Sequence, residues 1–427
     1  MLKRLTTLLF FVTILILPYR PDPKFFEYGL DLRTFWTPQK IIGMCLVTAM
    51  VFCILLGKIK PRKDVLNSLL CLICLKVISV LGATLLGYPI QFRAFLTWGE
   101  GLLLLWMAAA LINDDKMLNR ALWLLVISNI STGVYAIYNY INLRAGYEAA
   151  GLIQVPRMGI SSHYGAFGSP AYSYILTMHL PIAVYLALRA FNTRCSWVQR
   201  FFLLGNVVVT FVNLLLTLQR SSYIVAALIL VFLLLLFRKQ RFYSKGLIAF
   251  VVLCGIAAIV AVGNIAEGAV LGRIGQLWQV LTTGNLDLDY AIWGRMMVQR
   301  AAIYFFFSSP IFGIGHGNFQ EYSGQLVLEI SGTSSAENSY LHMLAENGLV
   351  YLTAYLLWYG YWLRWNRRRA NPQDKIHSIL AMSVWAGLLL SLTSWLEADS
   401  WFLLYTGLMV SHRVPPSIGK TNSQPSG

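Results

Sequence analysis

Charge is scarce in this chain. Only 12% of its 427 residues are Asp, Glu, Lys or Arg, about half the share a soluble domain usually carries. Acids are scarcer than bases, with 18 Asp+Glu against 34 Lys+Arg and a formal net charge of +16. Cysteine is sparse too: six residues, five of them in apolar segments and Cys195 in a basic loop. Cys71-Leu-Ile-Cys74 has the spacing of a redox motif. It sits inside an apolar run, so it reads as small buried residues, and no disulfide is expected. There is no Walker motif, no dinucleotide fingerprint and no metal-ligand cluster. Asp287-Leu-Asp289 is a DxD only by letter, with an apolar middle and no nucleotide-sugar context. These absences argue against a soluble enzyme, a disordered chain, a disulfide scaffold and an ATP-driven transporter. No cofactor and no metal are expected.

Apolar sequence is what the chain has in quantity: 57% of residues are hydrophobic and the mean hydropathy is +0.61. A spanning helix needs about 20 apolar residues. Candidate spans are 5–18, 41–57, 65–86, 93–112, 121–141, 171–190, 201–219, 222–237, 246–263, 348–363, 376–395 and 401–412. The expected fold is an all-α polytopic membrane protein of about 12 transmembrane helices. The first span is short but follows Lys3 and Arg4, and no small-residue cleavage site follows Pro18, so it reads as a retained anchor. With the N-terminus in the cytoplasm, 22 of the 34 cations fall in cytoplasmic segments and 11 outside, with Lys76 alone inside a span. Every cytoplasmic loop is then basic, as orientation by Lys and Arg requires, and both termini are cytoplasmic. This topology explains most of the +16 excess, so nucleic acid is not an expected partner.

The expected single transmembrane domain, 1–414, carries two long outer loops, 142–170 and 264–347, the larger between spans 9 and 10. The polar tail 415–427 is expected to be disordered. The larger loop is not linker-like. Residues 290–307 read as an interfacial amphipathic helix ended by Ser308-Ser309-Pro310. Gly313-Ile-Gly-His-Gly317 is a tight turn, and Ser334-Ser-Ala-Glu337 fits a capping box for a helix running on past Gly348.

Lys76 and Glu100 lie on adjacent spans, each roughly 18 Å from the turn near Tyr88. The expectation is a structural ion pair, with a proton relay or substrate cavity as the functional alternative. Arginine is selected against on an outer face, so those retained there call for a reason. Arg220 stands between two spans in Thr217-Leu-Gln-Arg-Ser-Ser222, placed to grip a phosphate in bidentate fashion, or to snorkel to lipid headgroups. Arg295 and Arg300 are about 140° apart on a helix, so one faces a site and the other solvent or lipid. Arg157, in Pro156-Arg-Met-Gly159, is a further cation candidate. Glu337 is the best-placed outer carboxylate, with helix capping as its structural reading. His316 and His163 adjoin Gly-rich turns and read as solvated, as do Glu397 and Asp399, while His179 before Pro181 reads as a packing residue.

The order of short motifs carries a resemblance. Trp293-Gly-Arg295, then Ser309-Pro-Ile-Phe-Gly-Ile-Gly-His-Gly-Asn-Phe319, Glu337-Asn-Ser-Tyr-Leu341 and Ala345-Glu-Asn-Gly-Leu349 resemble the O-antigen ligase/polymerase family. Gln219-Arg220-Ser-Ser and Gly165 to Pro170 resemble further pieces of it, so the likeness covers roughly residues 150–365. One position departs: the family's ligases carry His where this chain has Glu337. The resemblance implies a glycosyltransferase of the bacterial inner membrane. Its donor would be a glycan on undecaprenyl diphosphate at the outer leaflet. Its acceptor would be a sugar hydroxyl, on lipid A-core for a ligase or on another lipid-linked repeat for a polymerase. Membrane lipids and other polysaccharide assembly proteins are further expected partners. Glu337, Arg220 and His316 would be catalytic, and Arg220, Arg295, Arg157, Arg300 and Asn338 would bind the diphosphate. A transporter or flippase, or a non-catalytic partner of an assembly complex, remain the competing readings.

Overall fold

The computed structural model describes residues 1–17, 38–60, 62–149, 169–193, 195–217, 219–238, scattered positions between 249 and 284, then 290–326, 336–369, 375–394, 396–397 and 399–411. The described chain is helical: α1 (Leu2–Ile16), α2 (Pro38–Leu55), α3 (Lys63–Leu85), α4 (Phe92–Leu111), α5 (Asp115–Ala149), α6 (Ser169–Asn192), α7 (Trp197–Leu216), α8 (Arg220–Phe237), α9 (Tyr290–Ser308), α10 (Phe319–Leu326), α11 (Ser339–Arg369), α12 (Ile376–Leu390) and α13 (Ser400–Ser411). Six of these, α3 to α8, contain stretches long and apolar enough to cross a membrane, and 41–55, α12 and α13 are shorter apolar helices. This is a polytopic membrane protein. Most of the expected ninth span, 246–263, the smaller outer loop from 150 to 168 and the C-terminal tail lie outside the described residues.

Large apolar side chains face out of the bundle as well as into it. Leu81, Leu85, Ile224, Val231 and Leu235 are among many that are exposed. A soluble protein would hide them, whereas a helix surface in lipid has no reason to. The expected burial of the cysteines fails for this reason: Cys53 is buried, but Cys45, Cys71 and Cys74 are exposed on the bundle surface.

Inside, α4 packs along α13, α6 along α7 and α12, and α3 along α11. Ion pairing follows this arrangement rather than chain order. Lys76 Nζ meets Glu397 Oε1 at 2.7 Å, both fully buried, instead of the expected Glu100. Tyr351 donates to the same oxygen at 2.8 Å, and the ammonium lies 4.3 Å from the Tyr351 ring centre and 5.0 Å from that of Trp98. Lys76 and Glu100 are level, but α3 and α4 scarcely touch, so level positions are not adjacent ones. Glu100 is exposed. Glu397 is therefore a buried counter-ion and not a solvated turn residue. Asp399 caps α13, accepting from the Trp401 and Phe402 amides at 2.9 Å.

The break in α11 positions everything at one end of the bundle. Gly348 has φ 71° and ψ −178° in the middle of the helix, a conformation open essentially to glycine. A Cβ there would stand 2.1 Å from the Ile311 carbonyl oxygen. The freed backbone groups are taken by the Pro310–Gly317 turn. Leu349 N donates to Pro310 O at 2.8 Å, Ile314 N to Ala345 O at 2.9 Å and Gly315 N to Glu346 O at 2.9 Å. From α3, Ser79 Oγ reaches both Phe312 O and Asn347 O at 2.9 Å, and Gly82 leaves room for the Phe312 ring. We expect Gly348→Ala to lower stability by about 2 kcal/mol or more, measured as a fall in melting temperature of the detergent-purified protein. Gly360→Ala, later on the same helix where a Cβ meets nothing within 4 Å, should change it little.

Candidate functional site

Two groups of polar side chains lie at this end, one buried and one open. The buried group centres on Glu346, in the last turn of α11 before the break. His316 Nδ1 lies 2.9 Å from Glu346 Oε2, and His342 Nε2 lies 3.3 Å from the same oxygen. The Phe319 amide donates to Oε1 at 3.1 Å. The Ala336 amide points to His342 Nδ1 at 3.4 Å, so the proton of that imidazole belongs on Nε2, facing the carboxylate. Glu346, His316 and His342 are each 3% exposed or less. Burial alone would raise the Glu346 carboxyl, but the imidazoles of His342 and His316 reverse this and hold it well below the usual carboxylate range. A small apolar cluster surrounds the group: Val298, Ala301, Ala302 and Phe305 of α9, with Ile314, Phe319, Ala336 and Ala345.

The open group stands beside it. Glu337 Oε2 lies 3.8 Å from Arg295 Nε of α9, and both side chains are 37% exposed. Glu337 has φ 52°, and among the described residues it is the one non-glycine with positive φ. This backbone state costs a non-glycine residue about 1–2 kcal/mol, and such strain collects where the surroundings impose it. Here the imposition is visible. Asn338 caps α11 through Oδ1, accepting from the Tyr340 and Leu341 amides at 3.0 and 3.1 Å. Ser339 is bolted to the α12–α13 connection: its amide donates to Ser391 O at 2.7 Å, its Oγ donates to Ser394 O at 2.6 Å and accepts from Leu396 N at 2.7 Å. Glu337 is turned outward between that fixed start and the buried Ala336. The expected cap at Ser334 is thereby corrected, since the helix begins four residues later at Asn338.

The start of α6 completes this group. The buried Tyr174 hydroxyl is close enough to Glu337 and Arg295 to feel both charges. One residue earlier, Ser173 Oγ accepts from Ser222 Oγ at 2.8 Å, in the first turn of α8, which Arg220 opens. Arg220 is half-buried at the start of α8, two residues before the Ser222 that bonds α6. The Arg295–Glu337 pair sets a cation beside a carboxylate at this end of the bundle.

The other expected site residues are less central. Arg300 is exposed on α9, and Arg295 is half-exposed beside Glu337. Asn338 is occupied as a cap. His316 is buried against Glu346 instead of solvated. Arg157, His163 and Asp287 to Asp289 lie outside the described residues. His179 is more than a packing residue, since Nδ1 meets the Tyr405 hydroxyl at 3.1 Å and Nε2 meets Asn206 at 3.3 Å. Sequence reading missed His342, Glu346, Ser339 and Tyr174. The spacing of His342 and Glu346, one helical turn apart, was the available signal.

Residues 205–356 match the family model described as O-antigen ligase. This part of the chain is similar to the O-antigen ligase family. No curated protein matches it. The matched O-antigen ligase segment holds Arg220, Arg295, His316, Glu337, His342 and Glu346. It contributes both polar groups, while the start of α6 comes from outside it. The match supports a membrane enzyme of the ligase/polymerase kind.

Glu346 yields a pH prediction. Its folded carboxyl titrates well below the usual value of 4.5. The stabilisation is therefore full above that value and is lost as acidification passes down through the folded pKa. We expect Glu346→Gln to lower stability by about 2 kcal/mol at neutral pH and to flatten the acid limb below it, read from melting temperatures across a pH series.

Proposed function

We propose that the protein is an outer-leaflet glycosyltransferase that joins a glycan carried on undecaprenyl diphosphate to a sugar hydroxyl, as a polymerase or a ligase of exopolysaccharide or O-antigen. The observation that carries this reading is the Arg295–Glu337 pair inside the family-matched segment, which also holds Arg220 at the start of α8. The acceptor would be another lipid-linked repeat or a lipid A-core sugar. The bacterial inner membrane, with both termini cytoplasmic, is the location consistent with the basic loops.

In the step proposed, the acceptor hydroxyl oxygen forms a bond to the anomeric carbon of the donor. The bond from that carbon to the diphosphate oxygen breaks, and its electron pair leaves with the lipid diphosphate. The hydroxyl proton passes to the Glu337 carboxylate. The guanidinium groups of Arg220 and Arg295 stabilise the charge that grows on the leaving diphosphate, and do so more in the transition state than in the bound donor. They take the part a divalent cation plays in other transferases. Arg157 and Arg300 are further proposed contacts to the phosphates. His316 acts through Glu346, which fixes the Gly313–Gly317 turn against α11, and is a positioning residue in this reading. Asn338 holds Glu337 in place by capping the helix that follows.

A transporter would need a polar route through the bundle. The buried network of His179, Asn206, Asn129 and Thr210 is the nearest approach to one. Its cavity, about 10 Å³, has room for about one water at most, which favours the enzyme.

Glu337→Gln should lower transfer by about 100-fold or more while leaving abundance and melting temperature unchanged. Arg220→Ala should lower it by a similar factor. Both are measured as polymer or ligated product formed from purified lipid-linked donor. Ordinary product yield from both variants would remove the outer site from the chemistry. In a deletion strain, single repeats without long chains indicate a polymerase, and long chains left on the carrier indicate a ligase.

A further inference from the structure

A second site runs along α11, from Tyr340 near its start to a cluster of arginines at its far end. Between α11 and α12 runs a groove of about 1090 Å³, lined from Tyr340 to Arg368. The residues α11 presents to it, Leu356, Gly360, Leu363 and Arg367 among them, recur every three to four positions and so form one stripe. α12 supplies the facing stripe of Ala381, Met382, Trp385 and Leu388. Small side chains hold the gap open. A Cβ on Gly360 would meet nothing within 4 Å. The walls are open to the bundle surface, with Leu356 at 46% and Trp385 at 50% exposure.

One end of this apolar slot is strongly basic. Arg364, Arg367 and Arg368 line it and are exposed, and none of the lining residues is acidic. The base beneath them is rigid. Asn366 is buried and exchanges hydrogen bonds with His377, Nδ2 to the backbone oxygen at 2.9 Å and Oδ1 to Nδ1 at 3.2 Å, tying the end of α11 to the start of α12. Arg62 stacks on Trp365 at 5.1 Å and bonds the Val410 carbonyl, fixing that end of α11 against α13.

We propose that this groove binds an anionic two-chain phospholipid, its acyl chains between α11 and α12 and its phosphate on Arg364, Arg367 and Arg368. The charge decides the occupant. A slot open to lipid will be filled by acyl chains in any case, but three guanidinium groups, with no carboxylate among the described lining residues, select a headgroup with net negative charge over a zwitterionic one. The three arginines lie at the far end of α11 from Glu337, and the proposal does not rest on the reaction assigned to that residue.

The test uses the full-length protein, stripped of lipid in detergent and titrated with phosphatidylglycerol, phosphatidylcholine or undecaprenyl phosphate while bound lipid is counted by native mass spectrometry. The expected result is one phosphatidylglycerol held at least about tenfold more tightly than phosphatidylcholine, with the preference weakening as salt rises. The triple variant Arg364→Gln, Arg367→Gln, Arg368→Gln should lose the preference. Gly360→Leu should block both phospholipids by filling the slot, and its unchanged melting temperature keeps the test valid if the triple variant fails to fold. Equal binding of the two phospholipids, or full binding to Gly360→Leu, overturns the proposal. Displacement of phosphatidylglycerol by a tenfold lower concentration of undecaprenyl phosphate also overturns it, and assigns the groove to a carrier lipid instead.

Discussion

The carboxylate of Glu346 is the interaction on which the candidate site depends. It is shut away from water, and it comes to rest only because three donors reach it from two directions: His316 and the Phe319 amide from the glycine turn, and His342 from its own helix. An ionised group buried without such partners would be prohibitive. Its presence therefore dictates how the turn after α9 sits on α11. That seat fixes the Gly348 break, since the same turn takes up the backbone groups freed there. It also fixes Ala336 through His342, and hence the direction in which Glu337 leaves the core. The open carboxylate is aimed by the buried one.

A second buried charge pair ties this end of the bundle from the other side. Lys76 comes from α3 and Glu397 from the connection between α12 and α13. Ser339 reaches the same connection from the start of α11. The elements that carry the site are thus fastened to one another by polar contacts in surroundings where each is costly to break. Apolar packing sets where the helices lie, and these contacts set their axial positions, which lipid-like surfaces specify poorly.

Much of the architecture was legible in the residues. Apolar runs located α3 to α8 closely, and Ser308-Ser309-Pro310 marked the end of α9 where it falls. The glycine turn and the junction at Gly348 were readable because positive φ leaves few residue types to choose from. The partners of charges were not readable. Lys76 was expected beside Glu100 because the two are level, yet pairing needs neighbouring helices, and adjacency in a bundle is set by packing that no local pattern records. The cap of α11 was expected at Ser334 because a Ser with Glu three residues on fits the capping box; Asn338 lacks that Glu but is itself a strong cap residue, and contacts of Ser339 some 50 residues away in sequence favour it. Glu346 looked like part of a turn motif, since the donors that make it central lie 27 and 30 residues before it in the chain.

The discontinuity in α11 separates two events in the life of the chain. After Gly348 the helix satisfies its own backbone and ends in arginines, so it can enter a bilayer without help from elsewhere. The nine residues before it are different. They draw their stability from the turn that precedes them, from α9 and from the stretch joining the last two helices, which is made later in synthesis. Insertion of the later part of α11 can accordingly precede the seating of its first turns, which waits on the connection between α12 and α13.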